Sequence, residues 1–381
     1  MRIGLDVRYI SHGLTGGVRT YVLHLARNLP AVAPLDQFVY YADEKGPVEL
    51  TGLAPNVVLR TLPWTSPLST VVNDRRIAGW MERDGIELAH YPGNYGPAGR
   101  YALVVTVHDS LNLFPMKEHL RGFGKRPRQV AMMAYLGRKT RQALRHADAV
   151  ITVSDHARRD IAQRSGCTLD RITAIHEAAS EQFRVITDEA ALGEGRNRFE
   201  LGELVVLADG IKNPQATIDA FLALPDAIRR AAELVFFSRE PAPRPPVAEA
   251  LKFPGITFIA RPSTDDLVLL MNLASVFVFP SWYEGFGVPL VEAMRCGVPI
   301  IASSRGSIPE VLSGAGVLFD VESARALVDH LGWVLTSERA RQELRVRSLE
   351  RSKVFNWRVT AERTLNVYRQ VIADARGRKR Q

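Results

Sequence analysis

The chain has 381 residues, of which 46% are hydrophobic and 24% charged, with a formal net charge of +8. That is enough apolar material for two ordinary domains with buried cores. Runs such as Ala102–Val107 are far too short to span a bilayer, and two cysteines, Cys167 and Cys296, exclude a disulfide framework.

The first residues, Met-Arg-Ile-Gly-Leu-Asp, place an acid where a signal peptide needs an apolar stretch, so no signal peptide is expected and a reducing cytoplasm fits. Short apolar strands then alternate with helical patterns. Arg2–Val7, Gln37–Tyr41, Val57–Leu62, Glu87–His90, Ala102–Val107 and Ala149–Val153 read as strands in the first half. Gly16-Gly17 follow the first strand and open a helix over Val18–Asn28, where a double glycine lets a ligand approach backbone amides at a positive helix N-terminus. No G-x-G-x-x-G follows, so this is not the dinucleotide fingerprint. His108-Asp109 end the strand Ala102–Val107, at the carboxyl edge where open α/β sheets bind ligands. Lys and Arg concentrate between Arg121 and Arg145 and in the tail Arg376–Arg380. Such clusters suit an anionic membrane surface, or simply a solvated helix face. Nucleic acid is not expected, because no zinc, RRM or helix-turn-helix pattern accompanies the charge.

Glu181–Arg198 is polar and glycine-containing and reads as a linker, with the domain boundary between Ala178 and Glu203. In the second half Leu204–Ala208, Leu234–Phe237, Ile256–Ile259, Val276–Phe279, Ile300–Ala302 and Val317–Phe319 read as strands. Two series of this kind mean two doubly wound α/β domains, expected at 1–180 and 190–355. After Leu204–Ala208, Asn213 is a natural N-cap and Pro214 a natural first helical residue, which sets Lys212 at a positive helix terminus beside any bound anion. Arg239 follows the next strand, and Arg261 and Ser263 the one after. Arg305-Gly306-Ser307 follow a further strand and are expected to line the site.

The most informative segment is Ser281-Trp-Tyr-Glu-Gly-Phe-Gly-Val-Pro-Leu-Val-Glu292. It reads as the end of a buried strand, a glycine loop and a helix with Pro289 in its first turn. Gly285, Phe286, Gly287 and Val288 offer backbone amides to phosphate, and the carboxylates Glu284 and Glu292 are strong acceptors for paired sugar hydroxyls. Amides for phosphate and acids for hydroxyls suit a sugar nucleotide.

This segment, from Pro280 to Pro299 with its continuation through Ser307-Ile-Pro-Glu-Val311, resembles the signature of the retaining GT-B glycosyltransferases of family 4. The resemblance implies the GT-B fold, two Rossmann-like domains facing across a cleft, with the last helix, 358–376, crossing back to the first domain. It implies that Glu284 holds the hydroxyls of the transferred sugar and Glu292 the ribose of the nucleotide. It implies that Gly16, Gly17 and Tyr21 line the donor-phosphate and acceptor side, that His108 hydrogen-bonds the sugar with Asp109 orienting the ring or the loop, that Lys212 grips the diphosphate, and that Arg261 and Ser263 begin the base-binding loop. The chain departs from the family in Leu207-Ala-Asp-Gly-Ile-Lys212, where Asp209 stands in a loop that usually carries an Arg; Arg239 is the substitute expected.

The implied function is metal-independent transfer with retention, since no Asp-x-Asp motif is present. No cofactor is expected. The donor is a GDP-sugar, GDP-mannose first, or a UDP-sugar, and the acceptor a glycan or lipid-linked glycan of polysaccharide or cell-envelope synthesis. Two alternatives stay open: a catalytically weakened sugar-nucleotide-binding protein and a GT-B-fold nucleotide-sugar epimerase.

Overall fold

The computed structural model describes residues 1–13, 16–48, 50, 52–115 and 127–378. Residues 121–126 of the basic segment and 379–380 of the basic tail lie outside them. The chain divides into two compact units: Met1–Glu177 with Asn356–Gln381, and Ala178–Phe355.

The strands of the first unit are β1 (Arg2–Asp6), β2 (Gln37–Asp43), β3 (Val57–Leu62), β4 (Leu88–Tyr91), β5 (Ala102–Thr106), β6 (Ala149–Thr152) and β7 (Ile172–Ala174). All pair in parallel, in the order β3-β2-β1-β4-β5-β6-β7. Those of the second unit are β8 (Leu204–Asp209), β9 (Ala232–Ser238), β10 (Ile256–Ala260), β11 (Val276–Phe279), β12 (Ile300–Ser303) and β13 (Val317–Phe319), parallel in the order β10-β9-β8-β11-β12-β13. Both orders are doubly wound. The sheet grows one way from its first strand and then reverses, which leaves a crevice at the carboxyl ends of β1 and β4, and of β8 and β11. Central strands such as Val276-Phe-Val-Phe279 are wholly buried, as a sheet covered on both faces requires.

Two expectations are corrected here. Ile172-Thr-Ala174, not read as a strand, is the edge strand β7, too short to register as an apolar run. The second half of the expected linker is a helix, Glu189–Arg198, capped by Asp188, whose carboxylate accepts from the amides of Ala190 and Ala191. Gly195 looked like a loop residue; a Cβ there would lie 2.5 Å from Leu269 Cδ2, so the glycine permits close packing against the Thr264–Leu273 helix.

The C-terminal helix Trp357–Arg378 belongs to the first unit and packs on the Gly17–Val32 helix. Tyr368 Oη lies 2.5 Å from His90 Nδ1, whose other nitrogen is 2.8 Å from Thr106 Oγ1. Burial pulls His90 down to about 3, so this core histidine is neutral. Thr360 Oγ1 donates to the His176 carbonyl at 2.7 Å.

Candidate functional site

In the second unit the loops leaving β8 and β11 flank the crevice, and this brings Lys212 to Glu284 although the two lie far apart in sequence. Lys212 Nζ lies 2.7 Å from Glu284 Oε1, with the two side chains 32% and 12% exposed. The same oxygen accepts a hydrogen bond from Ser281 Oγ at 2.7 Å. Asn213 sits at the cap position of the Pro214–Leu222 helix with φ 53°. Its side chain does not cap, contrary to expectation; it donates to the Pro280 carbonyl at 3.0 Å and ties the β8 loop to the β11 loop.

Gly287 caps the Val288–Cys296 helix at φ 94°, a left-handed conformation that L side chains resist. Gly285 and Val288 are half-buried. Phe286, whose backbone amide is the part expected at the donor site, has its ring buried and packed edge-on to Phe355 with centroids 5.7 Å apart. It anchors the glycine loop; what it can present is backbone.

The loop after β12 braces this segment from behind. Ser307 Oγ donates to the carbonyls of Glu284 at 3.1 Å and Phe286 at 2.9 Å, the Ser307 amide reaches Glu284 O at 3.2 Å, and Ser303 Oγ donates to Ser281 O at 2.6 Å. Gly306, at φ 60°, runs so close that a Cβ would stand 2.7 Å from Glu284 O and 2.9 Å from Glu284 N. Ser281, Gly306 and Ser307 are thus the residues that hold Glu284. The sequence marks them weakly, by a glycine and small hydroxyls after a strand. Arg305, expected to line the site, instead pairs with Asp320 and Glu322 at 3.0 Å each and lies 6.0 Å from the Trp282 ring centroid.

Glu292, on the Val288–Cys296 helix, is only 6% exposed. Burial pushes its carboxyl up to about 7, Asp209 adds to the rise, and Arg239 opposes it. Asp209 is also raised by burial, against the pull of the Ile211 amide, Lys212 and Arg239 and with a push from Glu284. Arg239 is exposed, yet its charge is felt by both acids. Asp209, Lys212, Arg239, Glu284 and Glu292 therefore form one electrostatic group at the ends of β8, β9 and β11. Asp209 is the member the sequence could name only as a departure from a pattern. Arg261 is exposed at φ 48°, its amide donating to Ser238 O at 2.7 Å. Ser263, expected in a base-binding loop, forms a reciprocal capping box with Asp266.

In the first unit Gly16, at φ 117°, caps the Gly17–Val32 helix with open space around the position of a Cβ. Tyr21 is buried, its hydroxyl 3.2 Å from Thr106 Oγ1 and its ring edge-on to His108 at 4.9 Å. His108 is 7% exposed. Its Nδ1 lies 3.0 Å from Glu177 Oε1 and its Nε2 2.9 Å from the Pro92 carbonyl, while its amide donates to Asn94 Oδ1 at 2.9 Å. A carbonyl only accepts, so Nε2 carries the proton that meets Pro92, and Nδ1 shares the hydrogen bond with Glu177. Burial pulls His108 down, but the hydrogen bond and charge of Glu177 outweigh it, and the net shift is upward. The carboxylate that orients the imidazole is Glu177, not Asp109, and both ring nitrogens are engaged within the unit. No spacing in the chain links His108 to Glu177; β5 and the segment after β7 bring them together.

Also unread in the sequence is a buried cluster beyond β1. The Arg8 guanidinium pairs with Asp6 at 2.7 Å and Asp74 at 2.9 Å, and Asp74 Oδ2 accepts from Tyr95 at 3.2 Å and Tyr135 at 3.0 Å. Among the described residues no group of three or more His, Cys, Asp and Glu side chains could hold a metal ion, and no helix is long and apolar enough to cross a membrane.

Each of the two α/β units has a doubly wound parallel sheet, the second with a Lys–Glu pair at its switch point, and comparison with known proteins gives the class. Residues 15–180 match the family model described as Glycosyltransferase Family 4, and residues 209–351 that of Glycosyl transferases group 1. The chain belongs to this family of glycosyltransferases. It is 27% identical over 321 residues to O-antigen chain mannosyltransferase B of Escherichia coli, covering 82% of this chain and 81% of that protein. It is 28% identical over 240 residues to the serotype-specific mannosyltransferase WbdA of Escherichia coli, covering 59% of this chain but only 29% of that longer protein. Among solved structures, sucrose-phosphate synthase from Thermosynechococcus elongatus superposes with a TM-score of 0.73 at 20% identity over 98% of this chain and 99% of that one. WaaG, a glycosyltransferase involved in lipopolysaccharide biosynthesis, gives 0.72 at 14% identity over 96% and 99%. The fold is GT-B.

Proposed function

We propose that the chain transfers a hexosyl group, mannose first, from a nucleotide-diphosphate sugar to a glycan or lipid-linked acceptor in polysaccharide synthesis, with retention and without a metal. The observation that carries this is the meeting of Lys212 with Glu284 at the β8/β11 switch point, with Glu292 buried on the Val288–Cys296 helix that follows the Glu284 loop. Lys212 and the amides near Gly287 stabilise the charge that grows on the departing diphosphate, which is electrostatic catalysis by fixed groups. Glu284 accepts hydrogen bonds from the sugar hydroxyls and stabilises an oxocarbenium-like centre; Glu292 holds the ribose. Arg239 supplies the second positive charge, and Gly285, Val288 and Arg261 border the nucleotide. In the first unit Gly16 and Gly17 offer backbone to phosphate, and His108 serves the sugar once one ring nitrogen is released from Pro92 or Glu177. Mannose is supported by the mannosyltransferases among the relatives, and UDP-sugars as the next donors by the likeness to Anabaena Alr3699/HepE, solved with UDP-glucose at 14% identity and a TM-score of 0.69.

The test is turnover of GDP-mannose, UDP-glucose and UDP-galactose with mannoside acceptors, in the presence of EDTA, with the anomeric configuration read by NMR. Loss of transfer in Glu284→Ala and Glu292→Ala is expected; full activity in both would remove the site assignment, inversion would remove retention, and loss in EDTA would remove metal independence. A nucleotide-sugar-binding protein with weakened turnover is the second reading. It is favoured by Asp209, which leaves three carboxylates against Lys212 and Arg239, and it predicts tight nucleotide binding with no transfer across the panel.

We propose in addition a peripheral contact with anionic membrane, on the cytoplasmic side, through the Pro127–His146 helix, which carries no acid. Arg138, Arg141, Gln142, Arg145 and His146 line a groove of about 450 Å³ on it. Flotation with vesicles containing anionic lipid, lost in a variant with Arg138, Arg141 and Arg145 changed to Gln, checks this; equal flotation would remove it.

A further inference from the structure

The ion pair between Lys212 and Glu284 joins two residues that the proposed reaction uses for different parts of one donor. Glu284 Oε1 takes both the Lys212 ammonium and the Ser281 hydroxyl, each at 2.7 Å. The backbone at Glu284 is fixed by Gly306 and Ser307, and the backbone after Lys212 by the Asn213 bond to Pro280. Only side-chain rotation can therefore separate the pair. Lys212, 32% exposed, has the freedom to swing; Glu284, 12% exposed and held by Ser281, does not.

We infer that Lys212 is also a positioning residue for Glu284, and that diphosphate competes with Glu284 for the Lys212 ammonium. This rests on the nucleotide-sugar reading. A bound diphosphate draws Lys212 away and leaves Glu284 short of one partner in a half-buried loop. An intact donor replaces that partner with sugar hydroxyls; a nucleoside diphosphate without sugar does not. The exchange therefore favours the intact donor over the spent nucleotide at the same phosphate contacts, so the site prefers substrate and releases product. The coupling is between two parts of one ligand, and its size is that of a partly screened ion pair, roughly threefold to tenfold in affinity.

The experiment is titration calorimetry with GDP and with UDP on the wild type, Glu284→Gln, Lys212→Gln and the double variant, each checked by thermal melting. Lys212→Met provides a second background. Glu284→Gln keeps an acceptor for Ser281 but releases Lys212, so the nucleotide that binds wild type should bind about three to ten times more tightly. In either Lys212 background the same change should move affinity less than about twofold, because nothing is left to release. Equal tightening with and without Lys212 would mean simple repulsion between carboxylate and phosphate and would overturn the inference, as would unchanged or weaker binding in Glu284→Gln. Failure of wild type to bind either nucleotide overturns the nucleotide-sugar reading itself and this inference with it.

Discussion

Glu292→Gln should stabilise the protein while impairing it, and by an amount set by pH. Burial raises the Glu292 carboxyl to about 7 from an ordinary value of 4.5. A group raised in the folded state binds protons that the unfolded state has released. Between pH 4.5 and 7 the folded chain therefore holds more protons at this position, and its stability falls as pH rises through that window. Below it the contribution of Glu292 is fully present; above it the loss is complete. A difference of about 2.5 pKa units corresponds to about 3 kcal/mol at most, at 1.36 kcal/mol per unit. Glutamine keeps the size, cannot ionise and escapes this penalty. Scanning calorimetry at pH 4 and pH 8 should show near-equal melting temperatures at the lower pH. At pH 8 the variant should melt higher, by up to roughly 6–12 °C, given about 2–4 °C per kcal/mol for a domain of this size. Donor affinity should drop in the same protein, since a residue burying charge against its own stability is a residue kept for a ligand. A stability difference that is the same at both pH values, or a Gln variant less stable at pH 8, would refute the argument.

Other expectations follow from single contacts. Gly306→Ala places a methyl group 2.7 Å from Glu284 O at φ 60°, so it should cost about 1–3 kcal/mol and shift Glu284 enough to lower transfer by a factor of ten or more. Gly314→Ala, at φ 88° with nothing within 4 Å, carries the backbone strain alone and should lose about 1 kcal/mol with kcat unchanged; equal kinetics in the two variants would contradict the close approach. Glu177→Gln removes the partner that raises His108. That contribution is present below the ordinary histidine value and lost as pH rises through the higher folded value, so the variant should be destabilised more at pH 6 than at pH 9 in denaturant titrations. Tyr368→Phe leaves His90 Nδ1 without its partner in a buried site and should cost about 1–3 kcal/mol in melting with no effect on KM. Phe286→Ala empties the anchor beside Phe355 and should cost about 3–5 kcal/mol.

The alternation of short apolar strands with helices, and with it two parallel α/β sheets, was legible because a fully buried strand and an amphipathic helix write different periods into the chain. Local signals marked the glycine loop too: Gly287 needs its left-handed φ, and Pro289 fits a first helical turn. Elements whose identity depends on a neighbour were not legible. β7 is three residues long and exists by pairing with β6, and Gly195 lies in a helix at a point where Leu269 leaves no room for a side chain. Asn213 has the composition of a cap, yet spends its amide on Pro280, a choice made by the neighbouring loop.

The sequence by itself determined the kinds of residue at each strand end, two acids, a lysine, a histidine and glycines, because strand ends and helix starts are local events. It could not say which of them meet. The β8/β11 order joins Lys212 to Glu284, burial turns Glu292 into a carboxyl near 7, and the fold gives His108 to Glu177 and Pro92. Each of those outcomes depends on distance and dielectric between residues far apart in the chain, and only tertiary structure sets those.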